Sequence, residues 1–394
     1  YDPEDLLAHI SIADLVDGSW AEGPQAEKAH RFAERFNQDF SRAVLGSGPY
    51  QLLDPATDMV TQQKVVLTRD SDYWGRELGQ LPQSGYVERI VFKIINNTDA
   101  AFIELTNGDL DYLDLSSLEF KEKSWDPDFQ ASFMKAIRYR GGYTYIAWNN
   151  ARPLFGDPRV RRALTMLTDR QGMIDNLLFG LGEPVIGPIH KFRPEYNNNL
   201  EPYSYDPDTA IDLLYEAGWD DADEDGILDK QIDGERIPFR FEILVNSGNQ
   251  LRKDIALVVQ AELADIGIDC QVRELDWSIF LQRADTQDFD ALVLGWTGNV
   301  RFPPDAYQIW HSSQAEGQGS NFITFVNDEV DSILEEYRRE FDPDRRIALY
   351  QRFQEILHEQ QPYTFLWKQR LATSYARRFR GVNWYPGADR RSIG

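Results

Sequence analysis

From Tyr143 onward, short apolar runs alternate with longer stretches in which apolar residues recur every three or four positions. Tyr143 to Trp148 (YTYIAW) alternates with period two and predicts a strand. Asp157-Pro158 then opens a helix, since Asp caps a helix start and Pro suits its first position; Val160, Ala163, Leu164 and Leu167 form its apolar face. Asp206-Pro207 opens a second helix, with Gly218 placed to end it. Phe239 to Val245, Ile268 to Arg273 and Phe289 to Trp296 predict strands. Between them, Gln250 to Ile266, stopped by Gly267, and Trp277 to Ala284 predict helices. Two long helices, Asp328 to Glu340 and Pro343 to Gln360, precede a strand at Tyr363 to Trp367. The alternation predicts an α/β lobe with a largely parallel sheet, in which ligands sit outside the carboxyl ends of strands. Asn246 and Trp296 fall at such ends.

The region before Ile137 mixes both patterns. Ala26 to Phe40 has helical spacing, GSGPYQL (46–52) leads from a turn into a strand, and Val65 to Thr68 predicts another. Tyr86 to Ile95, Thr98 to Asn107 and Leu110 to Leu115 read as strand, helix and strand, a unit that implies parallel pairing of its two strands.

The stretch FDALVLGWTGNVRFPPDAYQIW (289–310) bears most directly on function. Its buried strand delivers Trp296, Thr297, Gly298 and Asn299 onto a loop ahead of the turn at Pro303-Pro304. That suits one wall of a ligand cleft, which is mostly apolar with a few oriented polar groups. A core tryptophan capping a strand end is the plainer alternative. Tyr145, Trp277, Phe365 and Trp367 also stand at or just beyond strand ends. Together with Trp296 they favour a stacking surface for peptide side chains or sugar rings.

The 394 residues suffice for two or three domains, and 42% hydrophobic with 27% charged content describes an ordinary globular protein. No run of about eighteen apolar residues spans a membrane. With 65 acidic against 41 basic residues the net charge is −24, which argues against nucleic acid as a partner. The single cysteine, Cys270, allows no disulfide framework and reads as a small core hydrophobe.

Catalytic signatures are missing. His9, His30, His190, His311 and His358 are scattered, and no HExxH, GxSxG, Walker loop or GxGxxG occurs. No cofactor is called for. A glycosidase acid and base could be drawn from the many carboxylates, but nothing selects a pair. In DADEDGILD, Asp221, Asp223, Asp225 and Asp229 match the first half of a calcium loop, with Gly226 at its sharp turn. Its twelfth position, where a bidentate Glu is needed, is Ile232, and a solvated turn into the hairpin Ile227 to Pro238 fits the same residues.

Several blocks together resemble the family 5 extracellular solute-binding proteins, the dipeptide, oligopeptide and nickel receptors of ABC importers. They are GSGPYQL (46–52), VERIVFKIINNTDAAFIELTNGDLDYL (87–113), NNARPLFGDPRVRRALTMLTDR (149–170), YDPDTAIDLLYEAGW (205–219) and FDALVLGW (289–296). The resemblance implies an α/β, type II periplasmic-binding-protein-like fold of two lobes joined by a hinge, closing on ligand. It implies a discontinuous first lobe, 1–142 with 363–394, and a complete second lobe, 143–362. Because family members carry well over a hundred residues ahead of the point matching Tyr1, it also implies a C-terminal fragment with an incomplete first lobe.

Peptide-binding members hold the ligand's α-amine with an Asp where this chain has Asn299, which supplies no ion pair. An acidic position of some peptide receptors corresponds to Ala147, and two arginine positions to Ala284 and Val293. Trp277, Asn246 and Tyr145 match ligand-facing positions, Ser116 falls in a matching loop, and Arg252 and Arg301 could supply positive charge. The resemblance thus implies a monomeric binding protein, periplasmic or at the cell surface, that passes a peptide or peptide-like solute to a membrane permease without catalysis. An oligosaccharide or other neutral solute is the alternative ligand; a glycan-active enzyme and a receptor-like module are the alternatives of another class.

Overall fold

The computed structural model describes residues 26–27, 30, 46–76, 87–298, 304–316, 319–383 and 392–393. The helix expected over 26–40 lies largely outside them, although residues 26, 27 and 30 are helical. The chain divides into two compact units, Tyr1–Ile103 with Arg380–Asn383 and Ser392–Gly394, and Glu104–Phe379 with Trp384–Arg391.

The first unit holds an antiparallel sheet around β3 (Lys64–Arg69). β1 (Tyr50–Gln51) and β2 (Met59–Val60) pair with its two ends, and β4 (Arg89–Lys93) runs along most of its length. Helix α1 (Thr98–Thr106) follows and runs across the division at 103/104; Ala101 and Leu105 are its buried apolar residues. The parallel pair expected on either side of this helix does not form: β4 pairs with β3, and the later strand, β5 (Tyr112–Leu115), pairs elsewhere. Chain proximity suggested the pairing, and longer-range partners override it.

The second unit is organised by one sheet. Its strands are β5, β6 (Phe133–Tyr139), β7 (Tyr143–Trp148), β8 (Gly182–Pro184), β11 (Arg240–Asn246), β12 (Asp269–Leu275), β13 (Ala291–Trp296) and β14 (Tyr363–Ala376), with the hairpin β9 (Asp229–Ile232) and β10 (Glu235–Pro238) apart from it. The order is β12-β11-β13-β7-β14-β5, and β6 and β8 also pair with β14. Only β12, β11 and β13 are mutually parallel; β7 and β14 run antiparallel to their neighbours, so the sheet is mixed rather than largely parallel. β14 is far longer than the strand expected at Tyr363 to Trp367. Its first half pairs with β7 and β8, its second with β5 and β6.

Strand alternation sends side chains into two cores. Ile146 and Trp148 of β7, Phe241, Ile243 and Val245 of β11, and Ala291 and Val293 of β13 enter one, beneath α3 (Pro158–Met166), α4 (Pro207–Glu216) and α5 (Gln250–Ala264). Tyr143, Tyr145 and Ala147, Leu244, and Leu292 and Leu294 enter the other. α6 (Trp277–Asp285), α7 (Asp328–Arg339) and α8 (Pro343–Gln360) supply its helical side. Being covered on both faces explains why these strands read as continuous apolar runs. Asp157, Asp206 and Asp342 cap α3, α4 and α8 through side-chain bonds to backbone N–H groups, each followed by Pro at the first turn.

Candidate ligand-binding site

Asn246 ends β11 and Trp296 ends β13, so the topology brings both to the carboxyl edge of the parallel strands. The Trp296 ring stacks on Tyr145 with centroids 6.3 Å apart and lies 5.9 Å from Phe322. Its Nε1 donates to the Tyr363 hydroxyl at 3.4 Å. Tyr145 in turn stacks on Tyr363 at 4.1 Å. The tryptophan is therefore seated on an aromatic floor while remaining only half-buried; Thr297 and Gly298 beyond it are exposed.

Close backbone contact fixes this loop. A Cβ on Gly142 would lie 2.0 Å from the Trp296 carbonyl oxygen, and one on Gly298 2.7 Å from the Gly141 oxygen. Only glycine permits the 141–142 crossing to press so tightly on the Trp296 strand end.

A polar group stands at the neighbouring strand end. Arg252, in the first turn of α5, donates from Nη1 to Asn246 Oδ1 at 2.6 Å, and its guanidinium lies 5.9 Å from the Trp277 ring centroid. Asn249 Oδ1 accepts the Arg252 backbone N–H at 3.1 Å, capping the helix. Trp277, which opens α6, is 48% exposed and stacks on Phe280 at 5.7 Å. Burial disfavours the charge on Arg252; the Tyr145 hydroxyl favours it and the nearby Arg140 opposes it. Burial and the Tyr363 hydroxyl push Tyr143 and Tyr145 well above the ordinary tyrosine range, so both stay neutral.

Of the five aromatics expected on an open surface, only Trp277 and Trp296 reach it. Tyr145, Phe365 and Trp367 are 0%, 1% and 0% exposed, and Tyr145 and Phe365 back the site from the core. A single sequence shows that a side chain stands at a strand end, but not that a helix covers it. Ser116 is engaged as the N-cap of α2 (Ser117–Glu122), accepting from the Glu119 N–H at 3.2 Å and donating to Glu119 Oε2 at 2.9 Å. Asn299 and Arg301 lie outside the described residues. Tyr363, Phe322 and Gly142 also shape the site, and the one sign of them in the sequence is the Gly141-Gly142 pair, a mark of tight backbone.

In the acidic loop, carboxylate oxygens of Asp221, Asp223 and Asp225 lie within 4.8 Å of one another, a set that could hold a cation. Asp229 stands with them less directly. It is buried and paired with Arg236 at 3.1 Å, and Arg236 also meets Asp223 at 3.2 Å.

A model of the bacterial extracellular solute-binding proteins, family 5 (middle region), matches residues 7–318. The chain belongs to this family. The oligopeptide-binding protein AppA of Bacillus subtilis is 29% identical over 396 residues, covering 99% of this chain and 65% of AppA. The solved structure of AppA in complex with a nonapeptide matches with a TM-score of 0.72, over 95% of this chain and 69% of that one. Protein XP55 of Streptomyces lividans is 30% identical over 336 residues, covering 83% of this chain and 56% of its own. NikZ from Campylobacter jejuni, in complex with Ni(L-His), shares the fold with a TM-score of 0.73 at 24% identity, over 89% of this chain and 68% of that one. The mixed α/β fold is thus that of the two-lobed type II binding proteins. The chain spans 65% of AppA and 56% of XP55, so these relatives are considerably longer than the sequence described. The family consists of binding proteins. Among the described residues no helix is long and apolar enough to cross a membrane.

Proposed function

We propose that this protein is the substrate-binding component of an ABC importer, acting in the periplasm or at the cell surface. It captures a peptide or peptide-like solute between two lobes, as a monomer and without catalysis, and delivers it to the membrane permease. The supporting observation is the half-exposed Trp296 on its aromatic floor, with Trp277, Asn246 and Arg252 at the same strand ends, in a chain 29% identical to a relative solved with a nonapeptide. Flat aromatic faces and one oriented polar group are what a cleft for an amphipathic solute needs. The lobe division at 142/143 and 362/363 belongs to this proposal; β14 changes partners from β7 and β8 to β5 and β6 between Gln369 and Arg370, a few residues beyond the second of these boundaries.

A neutral solute such as an oligosaccharide is the second reading, favoured by Asn299 in place of an acidic residue. The two are separated by native mass spectrometry of the full-length protein purified with its ligand, followed by thermal-shift titration with pentapeptide mixtures and with oligosaccharides. Stabilisation by peptides, weakened about tenfold or more in Trp296→Ala, is expected. A shift with sugars alone would overturn the peptide reading.

A further inference from the structure

The acidic loop between α4 and β9 gathers more negative charge than its neighbours neutralise. Carboxylate oxygens of Asp221, Asp223 and Asp225 lie within 4.8 Å of one another. Arg236 reaches the group from β10, with Nη1 3.2 Å from Asp223 Oδ2 and Nε 3.1 Å from Asp229 Oδ1. Arg240 stands 3.7 Å from Asp225 but is shared with Asp269 at 3.3 Å. The carboxylates of Asp221, Asp223, Asp225 and Asp229 thus have one guanidinium and part of another among them, and their mutual repulsion favours a further cation.

Asp229 distinguishes this loop from a solvated acidic turn. It is only 4% exposed, and its second oxygen, Oδ2, is buried without a hydrogen-bond partner among the described residues. Asp221 Oδ1 is buried and unpartnered in the same way. Burial disfavours the charge on Asp229; Arg236 favours it, and Asp223, Asp220 and Asp221 oppose it, so this carboxyl faces the acidic group and its pKa lies above the ordinary value. A buried carboxylate oxygen without a donor is costly, and a metal ion held by the neighbouring carboxylates supplies the missing partner.

The spacing fits one kind of ion. Asp221, Asp223, Asp225 and Asp229 occupy the first, third, fifth and ninth positions of a calcium loop, and Gly226, at the sixth, has a φ of 87°. Ile232, at the twelfth, has already left the loop and pairs with Glu235 across the hairpin. The loop is closed beforehand, since the Asp229 N–H donates to the Asp220 oxygen at 2.7 Å and the Asp220 N–H returns to the Asp229 oxygen at 3.1 Å. The Leu228 N–H donates to the Gly267 oxygen at 2.7 Å and the Phe239 N–H to the Leu228 oxygen at 2.7 Å. These bonds anchor the loop at the amino-terminal ends of β11 and β12, opposite the strand ends that carry Asn246 and Trp296.

We propose that Asp221, Asp223, Asp225 and Asp229 bind one calcium ion, with the Ile227 carbonyl as a further ligand and the buried Asp229 in place of the acidic residue at position twelve. Arg236 competes with the ion for the same oxygens. The bound ion ties the β9–β10 hairpin to the end of α4 and to the turn between α5 and β12, a structural role separate from solute capture.

The test uses the full-length protein stripped of metal with a chelator, titrated with calcium chloride and with magnesium chloride in a calorimeter. One site of Kd about 10⁻⁴–10⁻³ M for calcium is expected, with magnesium weaker. At about 10 mM, calcium should raise Tm by about 2–5 °C above sodium chloride of equal ionic strength. The side chains of Asp223 and Asp225 are about half exposed, so Asp223→Asn and Asp225→Asn should fold normally and lose about tenfold or more in calcium affinity. Arg236→Gln removes the competitor and should bind calcium about threefold or more tightly. Asp233→Asn takes the same charge from the exposed tip of the same hairpin and should leave the affinity unchanged. Melts without metal confirm that each variant is folded. The assignment would be overturned by any of four results: no saturable calcium binding, magnesium binding as tightly, native affinity in Asp223→Asn and Asp225→Asn, or an equal loss in Asp233→Asn. Weaker binding by a folded Arg236→Gln, or a thermal shift that sodium chloride reproduces, would overturn it too.

Discussion

Replacing Gly142 by Ala tests whether the Trp296 loop is held by backbone contact. Gly142 precedes Tyr143, whose register partner across the sheet is Trp296. The new methyl would lie 2.0 Å from the Trp296 oxygen and 3.0 Å from the Thr297 Cα. Both are backbone atoms, one in the last residue of β13 and one in the residue after it, so neither can swing away as a side-chain tip would. The two strand ends would have to part by about 1 Å, and forced shifts of that kind cost about 1–3 kcal/mol. For a unit of this size, ~2 kcal/mol lowers Tm by about 4–8 °C. Gly187→Ala is the matched control: it too is buried, but nothing lies within 4 Å of its Cβ. That change is expected to be neutral or stabilising by about 0.4–1 kcal/mol, through the entropy of the unfolded chain. Thermal unfolding of the three proteins decides the matter. A Gly142→Ala melt within about 1 °C of the native protein, or an equal fall in Gly187→Ala, would refute the close-contact explanation. Because the displaced oxygen belongs to Trp296, the reading proposed above expects peptide affinity to fall together with Tm.

Thr364→Val should cost about 1–3 kcal/mol, read as a lower urea midpoint at unchanged m-value, because it strands a buried donor. This is Trp148 Nε1, which donates to the Thr364 hydroxyl at 3.0 Å; the Thr165 hydroxyl, 2.8 Å from Thr364, keeps Gln361 Oε1 at 3.1 Å as its acceptor. Asp157→Ala removes the α3 cap, an acceptor 2.8 Å from the Arg159 N–H, and should cost about 1 kcal/mol at pH 7. Burial alone would raise the Asp157 carboxyl, but bonds from the Arg159 side chain and N–H outweigh it and hold it below its ordinary value. Its stabilisation is therefore complete above the unfolded carboxylate pKa and lost as pH falls through the folded one. The gap between native and variant melts should accordingly close below about pH 4. Burial, with the charge of Asp269, pushes the Cys270 thiol up to about 12. A disulfide reagent at pH 8 should leave it unmodified in the native protein and consume one thiol in guanidinium chloride; rapid native labelling would contradict the buried position.

Local chemistry was the most readable part of the fold. The Asp-Pro pairs at 157, 206 and 342 start helices because cap and first turn are set by neighbours in sequence. Strand direction was less accessible, since β4 and β5 look like a parallel pair across one helix and find other partners at long range. β14 was cut short at Trp367 because Lys368, Gln369 and Arg370 interrupt its apolar run. In the fold, Lys368 is buried 6.0 Å from the Tyr143 ring centroid, and Arg370 donates to the Gly180 oxygen at 2.7 Å. The site was half readable. Trp296 and Asn246 follow from their strand ends, whereas Phe322 and Tyr363 come from segments that only tertiary packing unites.

The long strand β14 also governs when this chain can fold. Tyr363 pairs with Ala147 and Ala372 with Leu115, partners synthesised more than two hundred residues earlier. Among the described residues, β5 and β6 have no strand partner except β14, and β7 has only β13 besides. As the polypeptide emerges from the ribosome, those strands must wait with open edges until β14 has been made. The sheet therefore closes only once β14 has emerged, and the waiting edges are where a holding chaperone would find its grip.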